Sequence, residues 1–221
     1  MNATFQAAIF DLDGTLLNSL GDIAHNLNAV FIRHGYAPVE SSIIQTLVGD
    51  GAYNLVRKAS VHNCIDLTEM QICRLRDEYT KMYMQADQSR SHAYNGILNL
   101  LDLLNNKNIP IAVMSNKPQA VLEVAVQRFF SGIDFVLVWG HSKLRPLKPD
   151  PAGAIAFAQA CGIPFEHIVF VGDSHIDMQT AHNAGMRSVG VTWGFESQAQ
   201  LVEAGAKMLV EHPWELSCLF Q

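Results

Sequence analysis

Two carboxylates one residue apart, in the run Asp11-Leu12-Asp13-Gly14-Thr15, are the most chemically informative feature of this 221-residue chain. They follow an apolar stretch, Ala7-Ala8-Ile9-Phe10, that reads as a short buried strand. Carboxylates at the end of a parallel strand lie at the sheet edge where ligand sites of open α/β folds collect. Held so close, they repel each other unless a cation or a proton sits between them. The spacing therefore suggests a metal site, with one oxygen free to act as nucleophile. Two plainer readings compete. Asp-x-Asp-Gly is a common turn, in which Gly14 only serves the reversal of the chain. It also opens calcium loops, but such a loop needs Glu at its twelfth position, where this chain has Asp22 inside an expected helix.

Three more polar groups stand at comparable places. Ser115-Asn116-Lys117 follows an apolar run ending at Met114; Lys148-Pro149-Asp150-Pro151 precedes a helix start; Gly172-Asp173-Ser174-His175-Ile176-Asp177 follows the apolar run 168–171. Singly, each has an ordinary explanation: a turn, a solvated lysine, a pair of helix-capping aspartates. A parallel sheet brings such strand ends together, placing several carboxylates, a hydroxyl and an ammonium around one crevice. Carboxylates hold a hard cation such as Mg²⁺, which screens the repulsion between a phosphate and an attacking carboxylate. Ser115 can donate to a phosphoryl oxygen, Lys148 can supply positive charge, and main-chain N–H groups after Asp11 and Asp13, that of Leu12 among them, can cradle the same oxygens. The chemistry inferred is phosphoryl transfer through an aspartyl-phosphate.

The elements that must position these groups show in the periodicity. After the first strand, helical signals run from 18 to 86: a helix over 19–34 stopped by Gly35, helices over 41–48 and 52–59 separated by Gly49-Asp50-Gly51, and a long helix reaching 86 behind a Thr68/Gln71 capping box. From Gly96 the pattern alternates: helix 97–106, strand 109–114, helix 118–130, strand 135–138, a helix from Asp150-Pro151 to Gly162, strand 168–171, a helix closing at Gly185, strand 188–191, a helix capped by Ser197 and Gln200, and a short strand 208–210. Alternation of this kind predicts an α/β fold, a Rossmann-like parallel sheet with helices on both faces. The catalytic core is expected over 1–17 and 90–221, with an all-helical cap over 18–89 inserted after the first strand. The hinges are expected at 16–18 and 89–95, so a moving cap would open and close over the carboxylates.

Composition narrows the classes. The chain is 49% hydrophobic and 16% charged, which is globular, and its net charge of −6 without a Lys/Arg block argues against nucleic acid or an anionic membrane as partner. No apolar run is long enough to span a bilayer and no signal-peptide layout opens the chain, so a cytoplasmic protein is expected. Cys64, Cys73, Cys161 and Cys218 show no ligand spacing and are expected to be buried thiols. Trp139, Trp193 and Trp214 are expected to pack. Apolar positions on the cap helices suit the cap's own core or a dimer face, which leaves monomer or homodimer open.

The four polar segments, in this order and spacing, resemble the haloacid dehalogenase superfamily of phosphatases over nearly the whole chain. Ser115-Asn116-Lys117-Pro118, Lys148-Pro149-Asp150-Pro151, Gly172-Asp173-Ser174 with Asp177, Ala184-Gly185-Met186, Gly190-Val191 and the loop Val48-Gly49-Asp50-Gly51 resemble, more narrowly, its phosphoglycolate phosphatase branch. The resemblance implies that Asp11 attacks phosphorus and that Asp13 protonates the leaving oxygen and later takes a proton from water. It implies Mg²⁺ held by the Asp11 carboxylate, the Asp13 main-chain carbonyl and Asp173, with Asp177 at the rim or behind it. Ser115 and Lys148 would hold the phosphoryl group, Asn116 would add a main-chain donor, and Gly49 and Gly51 would meet the substrate from the cap. Dehalogenases lack an acid at the place of Asp13, so an oxygen leaving group, in a small phosphorylated metabolite such as 2-phosphoglycolate, is implied. Ser115 stands where Thr is common, the segment 91–96 lacks the usual prolines, and Arg57 and Lys58 lie near where the family often has a basic residue. A phosphomutase acting on hexose phosphates and a catalytically silent binding module are the other readings.

Overall fold

The apolar runs at 7–10, 111–114 and 168–171 become adjacent central strands because each is apolar on both sides, which a sheet covered on both faces requires. The computed structural model describes residues 5–220. Its main sheet has six strands: β1 (Ala7–Phe10), β4 (Ile111–Pro118), β5 (Leu137–His141), β6 (Ile168–Gly172), β7 (Arg187–Val191) and β8 (Met208–Val210). The order is β5-β4-β1-β6-β7-β8 and every pairing is parallel. The chain builds outward on one side of β1, then returns to build on the other. The crevice at the carboxyl ends of β1, β4 and β6 is therefore the switch point of the fold.

The period of two along β1 divides the core. Ala8 and Phe10 pack with Leu100, Leu101 and Leu104 of α5 (Ile97–Asn106) and Leu122 of α6 (Gln119–Phe129). Ala7 and Ile9 face the other way, toward Phe157 of α7 (Ala152–Cys161) and Ala181 of α8 (His175–Asn183). Between β1 and α5 stand four helices, α1 (Leu20–Arg33), α2 (Ser41–Leu47), α3 (Gly51–His62) and α4 (Glu69–Gln85). They share a separate buried cluster that includes Leu27, Phe31, Val56 and Tyr83. The Thr68/Gln71 capping box at the start of α4 is formed, as is the Ser197/Gln200 box before α9 (Gln198–Glu203).

The segments expected as hinges, 16–18 and 89–95, are paired with each other: β2 (Leu17–Asn18) lies antiparallel to β3 (His92–Ala93), a link too short to carry a periodic signal. Other expectations are corrected. The strand expected to end at Met114 continues to Pro118, with a register shift against β5 between Met114 and Pro118. The next strand lies at Leu137–His141 rather than 135–138, and α3 reaches His62 rather than 59. A last helix, α10 (Pro213–Ser217), is not among those expected, although Pro213 at its first position and Glu215 at its third are start signals. None of the four cysteines is fully buried: Cys64 and Cys218 are exposed, Cys73 and Cys161 intermediate. Cys64 sits in the left-handed turn that ends α3, with φ of 55°, where the side chain meets solvent. Trp214 is 66% exposed and stacks on His212 at the surface rather than packing inside.

Candidate active site

The end of β1 delivers Asp11, whose N–H still donates to the Val171 carbonyl at 2.9 Å. The chain then turns sharply: Gly14, at φ of 91°, donates its N–H to Leu17 at 2.9 Å. A side chain at position 14 would collide with the carboxylate of Asp173, so the turn needs glycine for space as well as for its dihedral angle. Asp173 follows β6 directly, and Asp177 lies at the third position of α8. There it completes a capping box in which Ser174 N–H and Oγ–H both donate to Asp177 Oδ2, at 3.1 and 2.6 Å. Lys148 comes from the loop before α7, with a cis bond to Pro149. Asn116 pins that loop: it accepts the Lys148 N–H at 2.6 Å and donates to the Lys148 carbonyl at 3.1 Å. The same amide donates to the Gly49 carbonyl at 2.9 Å.

At the centre Lys148 Nζ donates to Asp177 Oδ1 at 2.7 Å and lies 2.8 Å from Asp11 Oδ1. Beyond this contact with the ammonium, Asp11 Oδ1 is buried with no other partner. Asp11, Asp173 and Asp177 each offer one oxygen within 4.8 Å of the others. Thr15 Oγ1–H and the Phe195 N–H, each at 2.8 Å, hold the two oxygens of Asp173. Burial pushes the Asp11 carboxyl up to about 7, with Lys148 opposing and the Asp177 charge adding to the rise. Burial, then the charges of Asp11 and Asp177, raise Asp173 well above its ordinary value. Burial alone would lower Lys148, but Asp11 and Asp177 more than offset it and hold the ammonium above its ordinary value.

Three buried carboxylates face one ammonium, so the ionised set carries two uncompensated negative charges. That donor set, three hard carboxylate oxygens within 4.8 Å of one another, fits a divalent cation such as Mg²⁺.

A cavity of about 170 Å³ opens over this cluster. Asp11, Asp13, Ser115, Asn116, Lys148 and Asp173 line its floor, and Gly49, Gly51, Leu55, Tyr79 and Tyr83 line it from the inserted helices. Gly51, at φ of 84°, lets the loop run close under Leu147 and the Asn116 carbonyl. The structure thus brings together nearly all the residues expected from sequence, and it defines the surroundings of three of them. Leu12 is packed in the core, so only its main chain is left for a ligand. Asp177 is fully buried behind Lys148 and outside the cavity wall. The carboxylate of Asp13 does not join the three others: both its oxygens take Lys117 Nζ at 3.0 Å, and Oδ1 also accepts Ser19 Oγ–H at 2.5 Å. Its main-chain carbonyl is what remains for a metal. Asn116 acts through its side chain as a brace, a role hidden from sequence.

Lys117 was legible only as a neighbour of Ser115. It is 8% exposed, and its ammonium sits 4.4 Å from the centroid of the Tyr83 ring. Burial pushes it down and the Asp13 carboxylate more than offsets that, so it stays charged. Arg57 and Lys58 do not line the cavity: Arg57 turns to Asn54 on the surface and Lys58 pairs with Asp50.

Comparison with known proteins gives the family and the fold. The model of the family described as haloacid dehalogenase-like hydrolase matches residues 8–191. The phosphoglycolate phosphatase of Pasteurella multocida is 31% identical over 206 residues, covering 90% of this chain and 91% of that protein. That of Mannheimia succiniciproducens is 28% identical over 215 residues, covering 96% of both. A crystal structure from Lactobacillus delbrueckii subsp. bulgaricus superimposes with a TM-score of 0.90 at 29% identity, covering 97% of both chains.

Proposed function

The chain belongs to the haloacid dehalogenase-like hydrolase family, and on that premise we propose that it is a Mg²⁺-dependent phosphatase of a small phosphate monoester, with 2-phosphoglycolate the first candidate. The observation that carries the reading is the cluster of Asp11, Asp173 and Asp177 around Lys148 at the floor of the cavity. The relatives named phosphoglycolate phosphatase, matched over nine-tenths of the chain or more, support the substrate.

Asp11 and Asp173, with the Asp13 carbonyl and Asp177 behind them, would hold the metal. The metal supplies charge that offsets the phosphate dianion and keeps Asp11 ionised when bound. An Asp11 oxygen attacks phosphorus, the bond from phosphorus to the ester oxygen breaks, and an aspartyl-phosphate forms. Lys148 and the Ser115 hydroxyl stabilise the phosphoryl oxygens as charge shifts onto them. Asp13 takes up a proton from solvent, gives it to the departing alkoxide, then accepts one from the water that releases phosphate from Asp11. The four inserted helices act as a cap, carried on the β2–β3 pair, that shields the intermediate from bulk solvent.

The test is phosphate release from a panel of small phosphate esters, 2-phosphoglycolate included, with Mg²⁺ and with EDTA. Mg²⁺-dependent release that favours phosphoglycolate is expected. Isomer formation from a hexose phosphate without phosphate release would replace this reading by a mutase, and no turnover with any ester would overturn it.

A further inference from the structure

Among the described residues that line the cavity, two carry positive charge: Lys148 and Lys117. Lys148 is committed to Asp11 and Asp177. Lys117 faces the same space from the side of the inserted helices, beneath Tyr83 of α4. The Tyr83 side chain is 1% exposed, and its hydroxyl is buried with no hydrogen-bond partner. A buried hydroxyl without a partner is costly, and an anionic oxygen beside it would satisfy it. Ile23, Leu55 and Val121 surround this end of the cavity with apolar wall, which strengthens any charge interaction formed there.

We propose that Lys117 and Tyr83 form a second anion subsite, which takes a carboxylate of the substrate, and that this carboxylate draws Lys117 away from Asp13. The inference rests on the phosphatase reading and names its substrate class, a phosphate ester of a small hydroxy acid. Asp13 holds Lys117 symmetrically, 3.0 Å from each oxygen, so it occupies the place a substrate carboxylate would take. Asp13 is not stranded by the exchange, because Ser19 Oγ–H still donates to it. The exchange frees one Asp13 oxygen to turn toward the ester. A neutral ester offers nothing to Lys117 and leaves Asp13 clamped. Selectivity for acidic esters then acts at two points, on binding and on release of Asp13 from Lys117.

The test uses the Mg²⁺-loaded protein and two non-hydrolysable phosphonates of equal length, acidic 3-phosphonopropionate and neutral 3-hydroxypropylphosphonate, with affinities read by calorimetry. A hydrogen-bonded charge pair in a buried site predicts tighter binding of the acid by about 30-fold, a loss of about 3- to 10-fold of that preference in Tyr83→Phe, and its disappearance in Lys117→Met. Tyr83→Phe removes a hydroxyl that bonds to nothing, so it keeps the test decisive where Lys117→Met fails to fold. Equal binding of the two phosphonates, or equal weakening of both in the variants, overturns the subsite. Mg²⁺-dependent release of phosphate from neutral and acidic esters alike would leave the phosphatase standing and the subsite refuted. A preference for the acid that depends on Lys117 and Tyr83, without turnover of any ester, would uphold the subsite and refute the phosphatase.

Discussion

Asn116 grips Lys148 by both sides of its main chain, accepting from its N–H at 2.6 Å and donating to its carbonyl at 3.1 Å. The lysine that balances the carboxylate cluster therefore takes its position from β4 rather than from its own loop. The Asn116 amide also reaches the Gly49 carbonyl, so one side chain ties the sheet edge, the Lys148 loop and the inserted helices together.

Asn116→Ala should lower kcat by about 10- to 100-fold through misplacement of Lys148, with all carboxylates retained. It also leaves the buried Lys148 N–H without its acceptor, a cost of roughly 1–3 kcal/mol. Steady-state kinetics and a thermal melt check the two effects separately. Unchanged kcat with a lowered melting temperature would make Asn116 a structural brace only.

Asp11→Asn should reduce turnover by at least about 10³-fold, because the amide cannot form the covalent intermediate. The fold should persist, since Asp177 still pairs with Lys148 and still caps α8. Without metal, and above pH 7, the variant should melt at or above the wild-type temperature, because it removes a buried charge that burial disfavours. Retained phosphate release would refute the assignment of the nucleophile.

The raised Asp11 carboxyl makes stability depend on pH in a stated direction. With a folded value of about 7 against an ordinary value of 3.8, the metal-free folded state binds more protons than the unfolded state between those limits. Its stability therefore falls as pH rises from about 4 to 7. Bound Mg²⁺ partners the ionised carboxylate and removes the penalty. The gap in melting temperature between Mg²⁺-loaded and EDTA-treated protein should widen from pH 5 to pH 8, and a constant gap would contradict it.

Much of this was legible in the sequence because the sheet does the positioning. Strands apolar on both sides fixed the central β1, β4 and β6, and Asp11, Asp13, Ser115 and Asp173 stood at or near the end of one, whereas Lys148 comes from the loop before α7. What stayed hidden depends on side chains meeting across long separations. Nothing local in Asn116 reveals that it braces Lys148, and nothing in Tyr83 beyond its helical spacing from Tyr79 reveals that it covers Lys117. The β2–β3 pair joins segments more than seventy residues apart with two residues each, too few for a periodic signal. The metal role expected of Asp13 was that of its main-chain carbonyl; what the sequence could not show is that its carboxylate is held by Lys117 and Ser19, because successive turn residues face different ways.

Gly194 offers a test of the metal site that leaves every ligand in place. A Cβ at this position would overlap the side chain of Asp173, and Gly194 has no left-handed dihedral angle to complicate the substitution. Asp173 cannot yield easily, because Thr15 and the Phe195 N–H hold its two oxygens. In Gly194→Ala the carboxylate must shift away from Asp11 and Asp177 or lose one of those bonds. Mg²⁺ affinity, measured by calorimetry, should fall by about 10- to 100-fold, the range seen when groups that orient a ligand are disturbed. Activity should recover in part at high Mg²⁺, which a loss of phosphate-binding groups would not allow. Unchanged Mg²⁺ affinity would mean that Asp173 does not hold the ion.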